Sequence, residues 1–137
     1  MSKYLLDTNI VSELRKPRPH GGVVAWVSSQ EAAQLFLSAV TLGELQAGIE
    51  RIRRQDPAKA GDIEAWADQL EDSYQVLPMD ALCFREWGRI MDRKPDRLLE
   101  DAMIAATARV HQLTVATRNE GDFKQLDVRV VNPFKTR

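Results

Sequence analysis

Short β-type runs alternate with longer helical ones along the chain, and this alternation constrains the fold more than any other feature of the sequence. Five runs read as strands: Lys3 to Leu6, Leu35 to Ser38, Val76 with Leu77, Thr114 to Ala116, and Arg129 to Val131. The segments between them carry helical signals. A short helix from Ile10 to Arg15 is stopped by Pro17 and Pro19, and another runs from about Val23 to Ser29. Leu45, Gly48, Ile49 and Ile52 place a helix over Leu42 to Arg54. Pro57 opens one reaching about Asp72, and Asp80 caps one through about Met91. Leu98 to Gln112 is the most apolar helix and is expected to be largely buried. Strands separated by helices build a mostly parallel sheet with helices on both faces, so the expected class is α/β: a central five-stranded sheet in a three-layer arrangement. The 137 residues are one domain's worth, and residues 1–137 are expected to form a single domain.

This topology has a chemical consequence. In a parallel sheet each strand ends at the C-terminal edge and each following helix starts there, which is where ligand sites form. Asp7 directly follows strand one, and Glu44 lies in the first turn of the helix after strand two. Asp101 lies in the first turn of the helix leading down to strand four, and Asp122 sits in the loop that leaves it. Each acid also has a structural explanation. Asp7, Thr8 and Asn9 suit the cap of the helix starting at Ile10. Thr41-Leu42-Gly43-Glu44 matches a capping box, Asp101 joins Asp96 and Glu100 at a helix N-terminus, and Asp122 suits a turn beside Gly121. Asp101 fits its structural role worst: it shares a stripe with Ile104, Ala105 and Ala108, and no lysine or arginine lies on that stripe.

Composition removes the competing chemistries. Nineteen basic residues against twenty acidic leave a net charge of −1, so nucleic acid is not bound by bulk positive charge. Cys83 is the single cysteine and His20 and His111 the only histidines, so a multi-cysteine or histidine-rich zinc site has nothing to build with. Cys83 and the tryptophans Trp26, Trp66 and Trp87 read as packing residues. Asp7 breaks the first apolar run before a signal-peptide core could form, and no stretch approaches the ~18 apolar residues of a membrane helix, which points to the cytoplasm. Carboxylates gathered without cations repel one another, and a divalent ion relieves this; oxygen-only ligation selects Mg²⁺ or Mn²⁺. Such an ion supports phosphodiester hydrolysis without histidine. Arg118 is placed to hold a phosphate, and Arg51, Arg53, Arg54, Arg89, Arg93, Lys94 and Arg97 could line a nucleic-acid groove.

Four segments, in order and spanning nearly the whole chain, resemble a PIN domain of the VapC/FitB toxin type. They are Leu5-Leu6-Asp7-Thr8-Asn9, the run from Ser38 to Leu45, the run from Asp101 to Ala108, and Ala116-Thr117-Arg118-Asn119 through Asp122-Phe123. The resemblance implies a Mg²⁺-dependent endoribonuclease, the toxin of a bacterial type II toxin–antitoxin pair. It also implies a homodimer neutralised by a small DNA-binding antitoxin that carries the complex to operator DNA. Carried onto this chain, the family's acids fall on Asp7, Glu44 and Asp101, with Asp7 and Asp101 as direct metal ligands. Asn119 stands where many relatives have aspartate, so the fourth role passes to Asp122 or is filled by the Asn119 amide or water. Thr8, Asn9 and Thr117 would orient the carboxylates. Gln112 replaces a frequent glycine after the helix, and the Pro95 to Leu99 approach to Asp101 is short.

Two other classes compete. A PIN-like module with weak catalysis would act mainly through protein or RNA contacts, and Asn119 is the residue that supports it. A phosphoryl-transfer domain also places aspartates at strand ends. Against it, Asp7-Thr8-Asn9 lacks the second aspartate of a D-x-D nucleophile, and no lysine follows strand four.

Overall fold

A computed structural model of the protein describes residues 2–135. Its five strands are β1 (Tyr4–Leu6), β2 (Leu35–Ser38), β3 (Gln75–Leu77), β4 (Thr114–Ala116) and β5 (Val130–Val131), ordered β3-β2-β1-β4-β5 with every pair parallel. The helices are α1 (Thr8–Arg15), α2 (Gly21–Ser28), α3 (Ala39–Arg53), α4 (Pro57–Ser73), α5 (Ala81–Met91), α6 (Leu99–His111) and α7 (Glu120–Lys124). Central β1 pairs Leu5 with Phe36 on one side and with Val115 on the other.

Successive side chains on a strand point to opposite faces, and β1 shows how this makes three layers. Leu5, with Phe36 and Val115, packs on Ala102, Ile104, Ala105 and Ala106 of α6 and on Phe123 of α7. Leu6, with Leu35, Leu37 and Ala116, packs on Ile10 and Val11 of α1, Val23 of α2 and Leu70 of α4. Both β1 leucines are fully buried, each contributing on the order of 1.5–3 kcal/mol by the area removed from water. A separate cluster of Ile49, Ala60, Ile63 and Ala67 joins α3 to α4. The alanines of α6 let that helix sit close on the sheet, so its N-terminus is held at the strand edge. Among the described residues no helix is long and apolar enough to cross a membrane.

The structure moves several expected boundaries. Helix α1 begins at Thr8 rather than Ile10, because Asp7 caps it directly with its side chain on the Thr8 N–H at 2.8 Å. Helix α2 begins at Gly21 rather than Val23, capped by His20. Helix α3 begins at Ala39, three residues before the expected Leu42, because the Ser38 hydroxyl accepts the Val40 N–H at 3.0 Å. That shift leaves Thr41 inside the first turn, and the expected Thr41–Glu44 capping box does not form. The Asn119 to Asp122 stretch is not a free turn: Asn119 precedes helix α7, and Asp122 lies within it.

Candidate active site

Asp7 is the first residue beyond β1, and its N–H donates to the Ala116 carbonyl at 2.9 Å, fixing it between the ends of β1 and β4. Its side chain is 4% exposed. One carboxylate oxygen accepts from the Thr8 N–H, and the other accepts from the Thr117 hydroxyl at 2.8 Å and the Asn9 amide at 3.0 Å. Thr117 in turn accepts the Asn119 N–H at 2.9 Å, and the Asn9 side-chain oxygen accepts the Arg118 N–H at 3.2 Å. Asp7 is therefore locked in one orientation from two loops. Burial pushes its carboxyl above the usual carboxylate range, and the Thr117, Thr8 and Asn9 hydrogen bonds only partly oppose this.

The Thr8 hydroxyl joins β1 to α3. It donates to Glu44 at 2.8 Å, which leaves it to accept from the Thr41 hydroxyl at 3.1 Å. Glu44 thus faces the sheet edge instead of reaching back along its own helix. Burial pushes its carboxyl up to about 7, reinforced by a hydrogen bond with the Glu100 carboxyl and by the charges of Glu100 and Asp7, while Thr8 opposes. Asp101 is pushed up to about 6 by burial and then by the charges of Asp7, Asp122 and Glu100, with Arg97 opposing. The Asp7 charge raises both Glu44 and Asp101, so each of the two acids lies within reach of Asp7 at this edge.

Two residues outside the sequence-based site belong to this field. Glu100, expected only to complement a helix dipole, lies against Glu44. Arg97, named only as a groove candidate, pairs with Asp122 across 3.0 Å. Their placement depends on how the turn Asp96–Leu98 enters α6, which no spacing rule reports. Asp122 therefore already has a cation, whereas Asp7, Glu44, Glu100 and Asp101 have no lysine or arginine within 4 Å among the described residues. Arg118 is exposed, with its guanidinium 4.7 Å from the centre of the Phe134 ring. Asn119 is exposed and its side chain does not cap α7. Arg118, Asn119 and Asp122 line an open cavity of about 530 Å³ on the α7 side.

The donor set fits a hard divalent cation. It is all oxygen, negatively charged and uncompensated. Among the described residues no three such side chains are gathered closely enough to enclose an ion by themselves. That suits a cation held by one or two carboxylates that keeps several of its waters.

Residues 4–129 match the family model described as PIN domain. The chain is 36% identical over 140 residues to Toxin FitB of Neisseria gonorrhoeae, covering 95% of this chain and 97% of that protein. It is 32% identical over 142 residues to a VapC ribonuclease of Sinorhizobium fredii, covering 96% and 97%. It is also similar to the solved structure of FitAB bound to a DNA fragment, with a TM-score of 0.85 and 32% identity over 98% of this chain and 97% of that one. A family match across residues 4–129, together with that identity over nearly the full length, shows that this chain belongs to the PIN domain family.

Proposed function

We propose that this chain is a divalent-metal-dependent endoribonuclease acting as the toxin of a toxin–antitoxin pair, with Mg²⁺, or Mn²⁺ in its place, at the Asp7 edge. The observation that carries the proposal is the buried Asp7 carboxylate, whose charge raises both Glu44 and Asp101, with no lysine or arginine within 4 Å of the three among the described residues. The relatives named a toxin and a ribonuclease, and the neighbour bound to DNA as FitAB, support the activity and the antitoxin partner, operator DNA being reached through that partner. Homodimer formation is supported by Leu82 and Phe84, which α5 leaves 67% and 45% exposed.

Asp7 and Asp101 would hold the ion directly, and Glu44 would hold or orient it. When bound, the ion supplies a lowered pKa for water and neutralises charge developing on the scissile phosphate. Asp7 arrives already oriented by Thr8, Asn9 and Thr117, so little conformational freedom is lost when it binds. Thr8 does the same for Glu44. With its carboxyl near 7, Glu44 can take up or release a proton at a carboxylate oxygen around neutral pH. Asn119 and Asp122 stand at the fourth acidic position, and Arg97 and Arg118 flank it as cations for the substrate backbone.

The purified, antitoxin-free protein should cleave RNA in Mg²⁺ or Mn²⁺ and lose all cleavage in EDTA. Undiminished cleavage in chelator rejects the metal mechanism. A second reading, a binding module of weak catalysis, draws on the Arg97–Asp122 ion pair, which occupies the acid that the sequence offers for the fourth position. Failure to cleave any of a wide panel of structured and single-stranded RNAs would favour that second reading.

A further inference from the structure

A second cavity adjoins the acids on the α3 side, an open space of about 570 Å³ whose walls include Val40, Gly43, Glu44, Ala47, Arg51 and Met103. Its size lies in the ~300–1,000 Å³ range of small-molecule sites. We propose that it seats one unpaired nucleobase next to the scissile phosphate, with Arg51 among its lining residues and a base bearing an exocyclic amino group (adenine, cytosine or guanine) favoured over uracil. This inference rests on the ribonuclease reading above and extends it to recognition.

The chemistry of the walls selects the occupant. Val40 and Met103 are half-buried, and with Ala47 they give an apolar surface against which a flat ring packs; the polarisable methionine sulfur adds to this. Glu44 lies between Val40 and Ala47 on the same face of α3, and Glu100 lies one turn before Met103 on α6, so a phosphate inside would be repelled, whereas Glu44 can accept an N–H from an exocyclic amino group. Uracil has no exocyclic amino group and offers only its ring N3–H.

Arg51 is exposed and has no carboxylate within 4 Å among the described residues, although Arg53, two residues on, is tied to both Glu50 and Glu64. Its guanidinium folds back along α3, lying 3.7 Å from where a Cβ on Gly48 would stand. There it can meet the base face or the next phosphate. Gly43 is consistent with an occupied cavity. Glycine inside a helix costs about 1 kcal/mol relative to alanine, yet a Cβ at Gly43 would meet nothing within 4 Å, so no packing contact requires glycine there.

The test compares wild type, Gly43→Leu and Arg51→Ala by fluorescence anisotropy on labelled nonanucleotides, oligo(A), oligo(C), oligo(U) and a fully abasic ribose-phosphate chain, in Ca²⁺. Cleavage of the same four probes is followed in Mg²⁺. Melting temperatures establish that each variant folds; both altered positions have room or are exposed. Wild type should bind oligo(A) or oligo(C) about five- to tenfold tighter than the abasic chain, with oligo(U) between, as one packed base contributes. Gly43→Leu should fall to the abasic level on every probe, and Arg51→Ala should weaken the base-bearing probes by several-fold. Cleavage with no difference between base-bearing and abasic probes, or unaltered binding by Gly43→Leu, overturns the inference and leaves the ribonuclease reading standing. Absence of both binding and cleavage in wild type overturns the two together. If Gly43→Leu binds every RNA as wild type does but no longer holds its antitoxin, the cavity belongs to a protein partner and the inference is overturned.

Discussion

At the scale of single residues, Thr8 is the hinge of the site, because one hydroxyl ties the end of β1 to Glu44 and Thr41 on α3. It decides between the two roles that the sequence allows Glu44. A capping residue would turn back toward Thr41's own backbone, and the observed side chain instead joins the other acids. Glu44→Gln and Asp101→Asn each remove a carboxylate that is half-buried and has no lysine or arginine within 4 Å among the described residues. Both variants should fold, and in EDTA each should be neutral or stabilised by up to about 1 kcal/mol, discounted for partial solvent screening. Both should lose most metal-dependent cleavage. Thermal melts in EDTA and cleavage assays at limiting Mg²⁺ check this. A clear loss of metal-free stability would assign these carboxylates a structural role, and wild-type cleavage by Glu44→Gln would remove it from the active site.

At the scale of elements, α3 and α6 do the positioning, and their ends matter most. Ser38 caps α3 early enough to bring Glu44 within reach of Thr8. Helix α6 ends at Gln112 in the left-handed region, with φ 58° and ψ 45°, and Leu113 closes the turn by donating to the Ala108 carbonyl at 2.8 Å. A side chain in that conformation costs roughly 1–2 kcal/mol, and glycine recovers part of it against the greater freedom of its unfolded chain. Gln112→Gly should therefore raise stability by about 0.5–1 kcal/mol, while Gln112→Ala should not. Denaturant unfolding of the two variants measures this, and equal effects would show that the backbone conformation is not the cause. Neither variant should alter cleavage, since Gln112 lies at the far end of α6 from Asp101.

At the scale of the whole molecule, the acid cluster makes stability depend on pH in a characteristic direction. Asp7, Glu44 and Asp101 have folded-state pKa values raised above their ordinary ones, so the folded chain holds these protons more tightly than the unfolded chain does. Metal-free stability should therefore fall as pH rises from about 5 through 6 and 7, the range over which Asp101 and Glu44 ionise in the folded state. Glu13, Glu50, Glu64, Asp80 and Glu120 are shifted downward and remain ionised in both states across that range, so they do not set its slope. A divalent cation needs the ionised carboxylates, so Mg²⁺ should raise the melting temperature more at pH 8 than at pH 6. Scanning calorimetry over pH 5–8 with and without Mg²⁺ tests both signs. A metal-free protein that gains stability on going from pH 5 to 7.5 would mean that burial and mutual repulsion do not hold these carboxyls above their ordinary range.

The residue pattern alone determined that five short strands alternate with helices, and hence that Asp7, Glu44 and Asp101 share one edge, because periodicity and strand polarity are local properties. The four motif segments likewise sufficed to indicate the family. Tertiary structure decided which of those acids stay free. Asp7 and Thr117 are 110 residues apart and meet at 2.8 Å only because β1 and β4 are neighbours in the sheet. Glu100 and Asp101 are adjacent in sequence, yet one lies against Glu44 while the other responds chiefly to its own burial and to Asp7. Arg97 neutralises Asp122 across 25 residues because the turn before α6 and the short helix α7 come together. Such meetings depend on the rotation of each helix about its axis and on how closely it packs on the sheet. Both are fixed by long-range contacts of fully buried residues such as Ala102, Ala105 and Phe123, and not by the spacing of residues along the chain.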